Sequence, residues 1–99
     1  MDLIFDPAAI AEVDEAVDHY QSLDEPLARA FLEELENASA RILAHPHVWQ
    51  CVFKHYRRLN LQRFPYAIIY TLESDHVFVV AVMHERRRPN YWLKRTKKP

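Results

Sequence analysis

The stretch "YAIIYTLESDHVFVVAVMH", residues 66–84, decides the fold. Tyr66 to Leu72 is rich in β-branched and aromatic residues, Ser74-Asp75 supplies a turn, and His76 to His84 returns as a second strand. That second run is apolar on both faces. Phe78, Val80 and Val82 share one parity, and Val77, Val79, Ala81 and Met83 share the other. A strand apolar on both sides belongs in the middle of a sheet with both faces covered. By parity, His84 leaves the sheet on the face of Val80 and Val82.

Upstream the period changes. Leu3 to Phe5 is a short first strand. Asp6-Pro7 is an N-cap followed by proline at the first helical position. Ile10, Val13, Val17 and Tyr20 then recur at helical spacing, which predicts a helix over about residues 7–22, with Glu12, Glu15 and Asp18 on its other face. Leu23-Asp24-Glu25-Pro26 is a break. Leu27, Phe31, Leu35, Ala38 and Ile42 predict a second helix ending near Ala44, since His45 precedes Pro46. Val48 to Phe53 and Leu59 to Phe64 have β character, with "KHYRRL" between them as a loop and Pro65 at an edge or bulge. Tyr91 to Lys97 is a last helical turn or a basic tail. The order is β-α-α-β-β-β: an α+β domain with a helical hairpin on a small antiparallel sheet, spanning 1–99 as one domain.

Composition limits the functions open to such a domain. The chain has 99 residues, 49% hydrophobic and 27% charged, which suits one globular core. It has no Gly, so turns needing positive φ fall to Asn, Asp or longer loops, and the Gly-rich phosphate cradle is excluded. Cys51, the only cysteine, allows no internal disulfide and is expected to be a small buried residue in a reducing cytoplasm. The longest apolar run has seven residues, too short for a membrane span, and "MDLIFDP" is no secretory signal. His45 and His47 have no further ligand at useful spacing, so neither metal nor cofactor is expected.

Charge is distributed unevenly. Residues 1–51 hold eleven acids and two bases, a net −9; residues 52–99 hold eleven bases and three acids, a net +8. Either the halves neutralise each other, or one basic face meets a polyanion or an acidic partner. The bases crowd around aromatics in three groups. They are Lys54, His55, Tyr56, Arg57 and Arg58; Arg63 and Tyr66; and His84, Arg86, Arg87, Arg88, Tyr91 and Trp92. Arginine forks grip phosphate oxygens and aromatic rings stack bases. A histidine among arginines, His84, is a candidate general base, or else a hydrogen-bonding anchor at a strand end. Tyr91-Trp92 either stack a base or pack the C-terminal segment on the core.

"RFPYAIIY" (63–70) followed by "VFVVAVMHERRRPNYWLKR" (77–95) resembles the RelE/ParE superfamily of type II toxins, with "FLEEL" in the second helix and the proline near 46 in keeping. That resemblance implies a small toxin held by a cognate antitoxin that covers its basic surface, and a homodimer is compatible with it. RelE-like members cut ribosome-bound mRNA without metal, which is the first expectation for this chain; ParE-like members block DNA gyrase without catalysis, which is the alternative. In the first case Arg63, Arg87 and Tyr91 stand where such enzymes place phosphate-binding arginines and a base-stacking tyrosine. His84 would then transfer the proton. Lys54, Arg57, Arg58, Arg86, Arg88 and Trp92 would hold RNA or another target. In the second case the same surface and the Arg86–Arg95 segment bind protein.

Overall fold

A computed structural model describes residues 1–96. In chain order these form β1 (Asp2–Phe5), α1 (Pro7–Leu23), α2 (Glu25–Ala44), β2 (Cys51–Phe53), β3 (Tyr56–Asn60), β4 (Tyr66–Leu72), β5 (His76–His84) and a 3-10 turn, Tyr91–Thr96. The sheet order is β1-β5-β4-β3-β2. β1 runs parallel to β5 and the other pairs are antiparallel. The α+β class and the helical hairpin on an antiparallel sheet are therefore as the sequence predicts, with one more strand and one parallel edge.

Local signals account for the helices. Asp6 accepts the Ala8 N–H at 2.8 Å and Pro7 opens α1. The break at Asp24 leads into Pro26, and α2 stops at Ala44 before Pro46. The hairpin covers one sheet face, where Phe31, Leu35, Ala38 and Ile42 meet Leu59, Ile68, Tyr70, Val77, Val79 and Val82. Among the described residues no α-helix covers the opposite face. There Trp92 and its neighbours pack on Ala67, Ile69, Val80, Ala81 and Met83. Among the described residues no helix is long and apolar enough to cross a membrane.

Three local expectations are corrected. The first concerns β5, which is central as expected but does not keep one parity. Ile69 pairs with Ala81 and the next residue, Tyr70, pairs with Val79, so Val80 is an extra residue, a β-bulge. The bulge flips the alternation. Val77 and Val79 face the helices before it, and Val82 does so after it, while Val80 joins the opposite cluster. His84 thus shares a face with Val82 but not with Val80. The second concerns "KHYRRL", where only Lys54 and His55 turn and Tyr56, Arg57 and Arg58 lie in β3. Lys54 itself takes the left-handed conformation (φ 50), as does Asn90 (φ 63), so a lysine fills one role that the sequence assigned to Asn or Asp. β3 then stops at Asn60. The expected strand through Phe64 is instead a bend closed by Leu61 N–H to Tyr66 C=O, 2.8 Å, because Pro65 has no N–H for a ladder. The third is Cys51, which is exposed on the short edge strand β2. The expected tail, Tyr91 to Lys97, is helical through Thr96, and Lys97 lies outside the described residues.

Candidate functional site

Among the described residues the most densely bonded polar group is a carboxylate the sequence placed on the outer face of α1. Glu12 faces inward and its side chain is only 11% exposed. The end of the β1 pairing supplies the reason. β1 pairs with β5 only as far as Val79, so the backbone of β5 beyond that residue has a strand neighbour only on the β4 side. The Val82 N–H donates to Glu12 Oε1 at 3.0 Å, and the Val80 C=O accepts from Arg95 Nη1 at 3.0 Å. Arg95 also grips Glu12 with both nitrogens, Nη1 to Oε1 at 3.0 Å and Nη2 to Oε2 at 3.1 Å. This is the fork-to-carboxylate geometry that makes such pairs strong. The Tyr91 hydroxyl donates to Glu12 Oε2. Arg87 stands 3.8 Å from the same oxygen and lays its guanidinium 3.8 Å from the Tyr91 ring centroid.

Titration follows this geometry. Burial, then the hydrogen bond and charge of Glu12, push the Tyr91 phenol far above its ordinary 10.0, against the opposing pull of Arg95 and Arg87. Burial pulls Arg95 down, but the bond to Glu12 and its charge outweigh it and the net shift is upward. Burial raises Tyr66 as well, with Tyr20, Glu15 and Glu12 adding to it.

His84 ends β5 beside this cluster. Its Nδ1 accepts the Arg86 N–H at 3.0 Å and its C=O accepts the Arg87 N–H at 3.0 Å. Its ring meets Tyr66 edge-on at 5.0 Å. Together with Glu12, Glu15, Tyr66, Val82 and Arg87 it lines one shallow groove. Arg63 does not reach that groove. It lies in the bend after β3 and lines another with Ala30, Glu33, Glu34, Asn37, Arg41 and Gln62. There Glu34 accepts the backbone N–H groups of Gln62 and Arg63, the latter at 3.1 Å. The Arg63 guanidinium sits 5.5 Å from the Phe64 ring.

The β2–β3 cations are placed differently again. Arg57 Nη1 donates to the carbonyls of His47 (3.1 Å) and Trp49 (2.7 Å), stapling the segment after α2 to the sheet, as Tyr70 does through Pro46 C=O at 2.7 Å. Arg58 Nε donates to Asn60 Oδ1 at 2.8 Å, and Lys54 Nζ lies 5.4 Å from the Phe53 ring. Trp92 is 1% exposed and packs against Tyr56 and Phe53 at 5.2 and 6.4 Å between ring centroids. It is a core residue, in keeping with the alternative that Tyr91-Trp92 pack the C-terminal segment on the core. Arg86 and Arg88 are exposed on the turn after β5, and among the described residues neither makes an ion pair or side-chain hydrogen bond.

The structure thus gathers His84, Arg87 and Tyr91 around Glu12 and leaves Arg63 and the β2–β3 cations elsewhere. Sequence reasoning missed Glu12. A signal existed: Glu12 is three residues after Ala9 and four before Ala16, and both alanines are fully buried. Among the described residues no group of three or more His, Cys, Asp or Glu side chains is arranged to hold a metal ion.

A family model described as the ParE toxin of type II toxin–antitoxin systems, parDE, matches residues 3–89. The protein named Toxin ParE2 from Mycobacterium tuberculosis is similar, in strains CDC 1551 / Oshkosh and ATCC 25618 / H37Rv alike. It is 30% identical over 56 residues, which is 57% of this chain and 53% of the relative. The match spans about half the length of those curated relatives. Among solved structures, a chain of the chromosomal ParDE TA system from P. aeruginosa superposes with a TM-score of 0.73. It covers 85% of this chain and 95% of that one at 19% identity, a likeness of fold.

Proposed function

This chain belongs to the ParE toxin family of type II toxin–antitoxin systems, and from that premise we propose that it arrests growth by binding DNA gyrase, with no chemistry of its own. The family implies a cognate antitoxin as partner. The reading is supported above all by the engagement of Glu12 with Arg87, Arg95 and Tyr91. A metal-independent ribonuclease needs free cations converging on one phosphate, beside a group that moves the proton. Here Arg87 and Arg95 face a carboxylate, the Tyr91 hydroxyl is donated to it, and Arg63 serves another groove. Glu15 adds a second carboxylate to the groove of His84, where a phosphate would meet repulsion. On the turn after β5, Arg86 and Arg88 are exposed and make no ion pair among the described residues, an arrangement suited to contact with a macromolecule.

The test is induction of this chain alone in a bacterial host. The binding reading expects growth arrest, induction of the DNA-damage response, and intact ribosome-bound mRNA by primer extension. New 5′ ends within translated codons, lost in His84→Ala or Arg63→Ala, would instead make it a ribosome-dependent endoribonuclease. Harmless induction would point to a chain that has kept antitoxin binding and lost toxicity.

A further inference from the structure

We propose that Glu12 is a positioning residue: its carboxylate clasps the C-terminal segment to β5, drawing Arg95 inward and holding the turn so that Arg86 and Arg88 are presented outward to the target. The inference rests on the proposed binding function and adds to it the device that orients the binding turn.

Four donors converge on Glu12: one backbone N–H, two guanidinium nitrogens and a phenol. A carboxylate has about four lone-pair sites, so its acceptor capacity is filled. The donors come from β5 and from both ends of the 3-10 turn, Tyr91 and Arg95. The intervening turn is pinned at its start by the two hydrogen bonds to His84 and at its end by Tyr91 N–H to Arg88 C=O, 3.2 Å, next to Asn90 in its left-handed conformation. Exposure along the turn follows from this. Arg95 is 14% exposed, whereas Arg86, Arg87 and Arg88 are all exposed; of these Arg87 reaches Glu12 at 3.8 Å, and Arg86 and Arg88 are free of ion pairs among the described residues. Packing alone does not call for this arrangement. A buried ion pair contributes little net stability compared with well-packed apolar residues of the same volume, whereas it does fix geometry. Trp92 already supplies the apolar anchor of the segment. The charged clasp contributes direction.

The experiment is Glu12→Gln in the full chain, which keeps the shape and removes the charge. Three readouts are taken: circular dichroism with thermal melting for the fold, amide exchange over residues 85–96 together with the Tyr91 phenol titration for the clasp, and growth arrest on induction for toxicity. The variant should stay folded, exchange the 85–96 amides about tenfold faster or more, the factor that loss of one charge-assisted hydrogen bond supports, and titrate Tyr91 nearer the ordinary tyrosine range. It should also lose growth arrest as fully as an Arg86→Ala/Arg88→Ala double variant. A merely structural glutamate would not tie the phenol titration to toxicity. Arrest at the wild-type level with the segment loosened overturns the proposal, as does unchanged exchange and titration. If Glu12→Gln fails to fold, Arg95→Met opens the clasp from the other side and is judged by the same outcomes. Growth arrest does not depend on which target is struck. A wild-type chain that arrests growth without touching gyrase therefore sinks the gyrase reading and leaves the clasp to be judged on its own readouts, while a harmless wild type overturns both.

Discussion

Two helix glutamates reach across to the sheet, and they use their charge in opposite ways. Glu12 of α1 meets side-chain cations, Arg95 above all, and neutralises them in a nearly closed site. Glu34 of α2 meets backbone N–H groups, those of Gln62 and Arg63, in an open one, and among the described residues makes no ion pair with the neighbouring guanidinium. The acidic N-terminal half therefore does not simply cancel the basic C-terminal half. It cancels chosen cations beside the end of β5 and, at the bend between β3 and β4, holds the backbone in place while its arginine stays exposed. Fixed direction for the C-terminal segment follows from the first arrangement, and an unclaimed arginine from the second.

The comparison breaks most visibly at Glu12. Glu12→Ala leaves the Arg95 guanidinium part-buried and unpaired and strands the Val82 N–H, so denaturant unfolding should show a loss of about 3–5 kcal/mol. A loss under about 1 kcal/mol would make the cluster an ordinary surface network. Glu34→Ala should cost less, about 1 kcal/mol, because water reaches the exposed N–H groups it leaves behind. Equal losses at the two sites would erase the distinction drawn here. The smallest effect is with pH. Folding raises the Tyr91 pKa, so the native state keeps its proton where the unfolded chain has released it. That contribution is fully present below about pH 10, the unfolded value, and is lost as pH climbs from there towards the folded value. Tyr91→Phe should flatten this alkaline decline, and an unchanged slope would mean that the phenol is not held by Glu12.

The β4–β5 hairpin, the two helices and the Asp6 cap of α1 were legible in the sequence, because apolar period and capping chemistry act locally, whereas Asp24 opens α2 without a side-chain cap bond. The bulge was not. Val80 is one valine among several, and nothing in its neighbours marks it as the extra residue, yet it sets which face His84 and Val82 take. Glu12 was hidden for a related reason. The large apolar residues of α1 define a face by eye, but Ile10 on that face is 49% exposed, while the small, buried Ala9 and Ala16 mark where a neighbour comes close. β3 was obscured by its own charge, since arginines in "YRRLN" resemble a loop until Arg57 is seen spanning to the carbonyls of His47 and Trp49. Trp92 was readable both ways, and burial decided for the core.

The most direct test of the central claim, that this toxin acts by binding rather than by cutting, is a supercoiling and cleavage assay with purified gyrase, relaxed plasmid and the purified chain. Inhibited supercoiling and accumulated gyrase–DNA breaks are expected with the wild type, both reduced in Arg86→Ala/Arg88→Ala. Full gyrase activity at saturating toxin, alongside codon-phased cleavage of ribosome-bound mRNA, would contradict it.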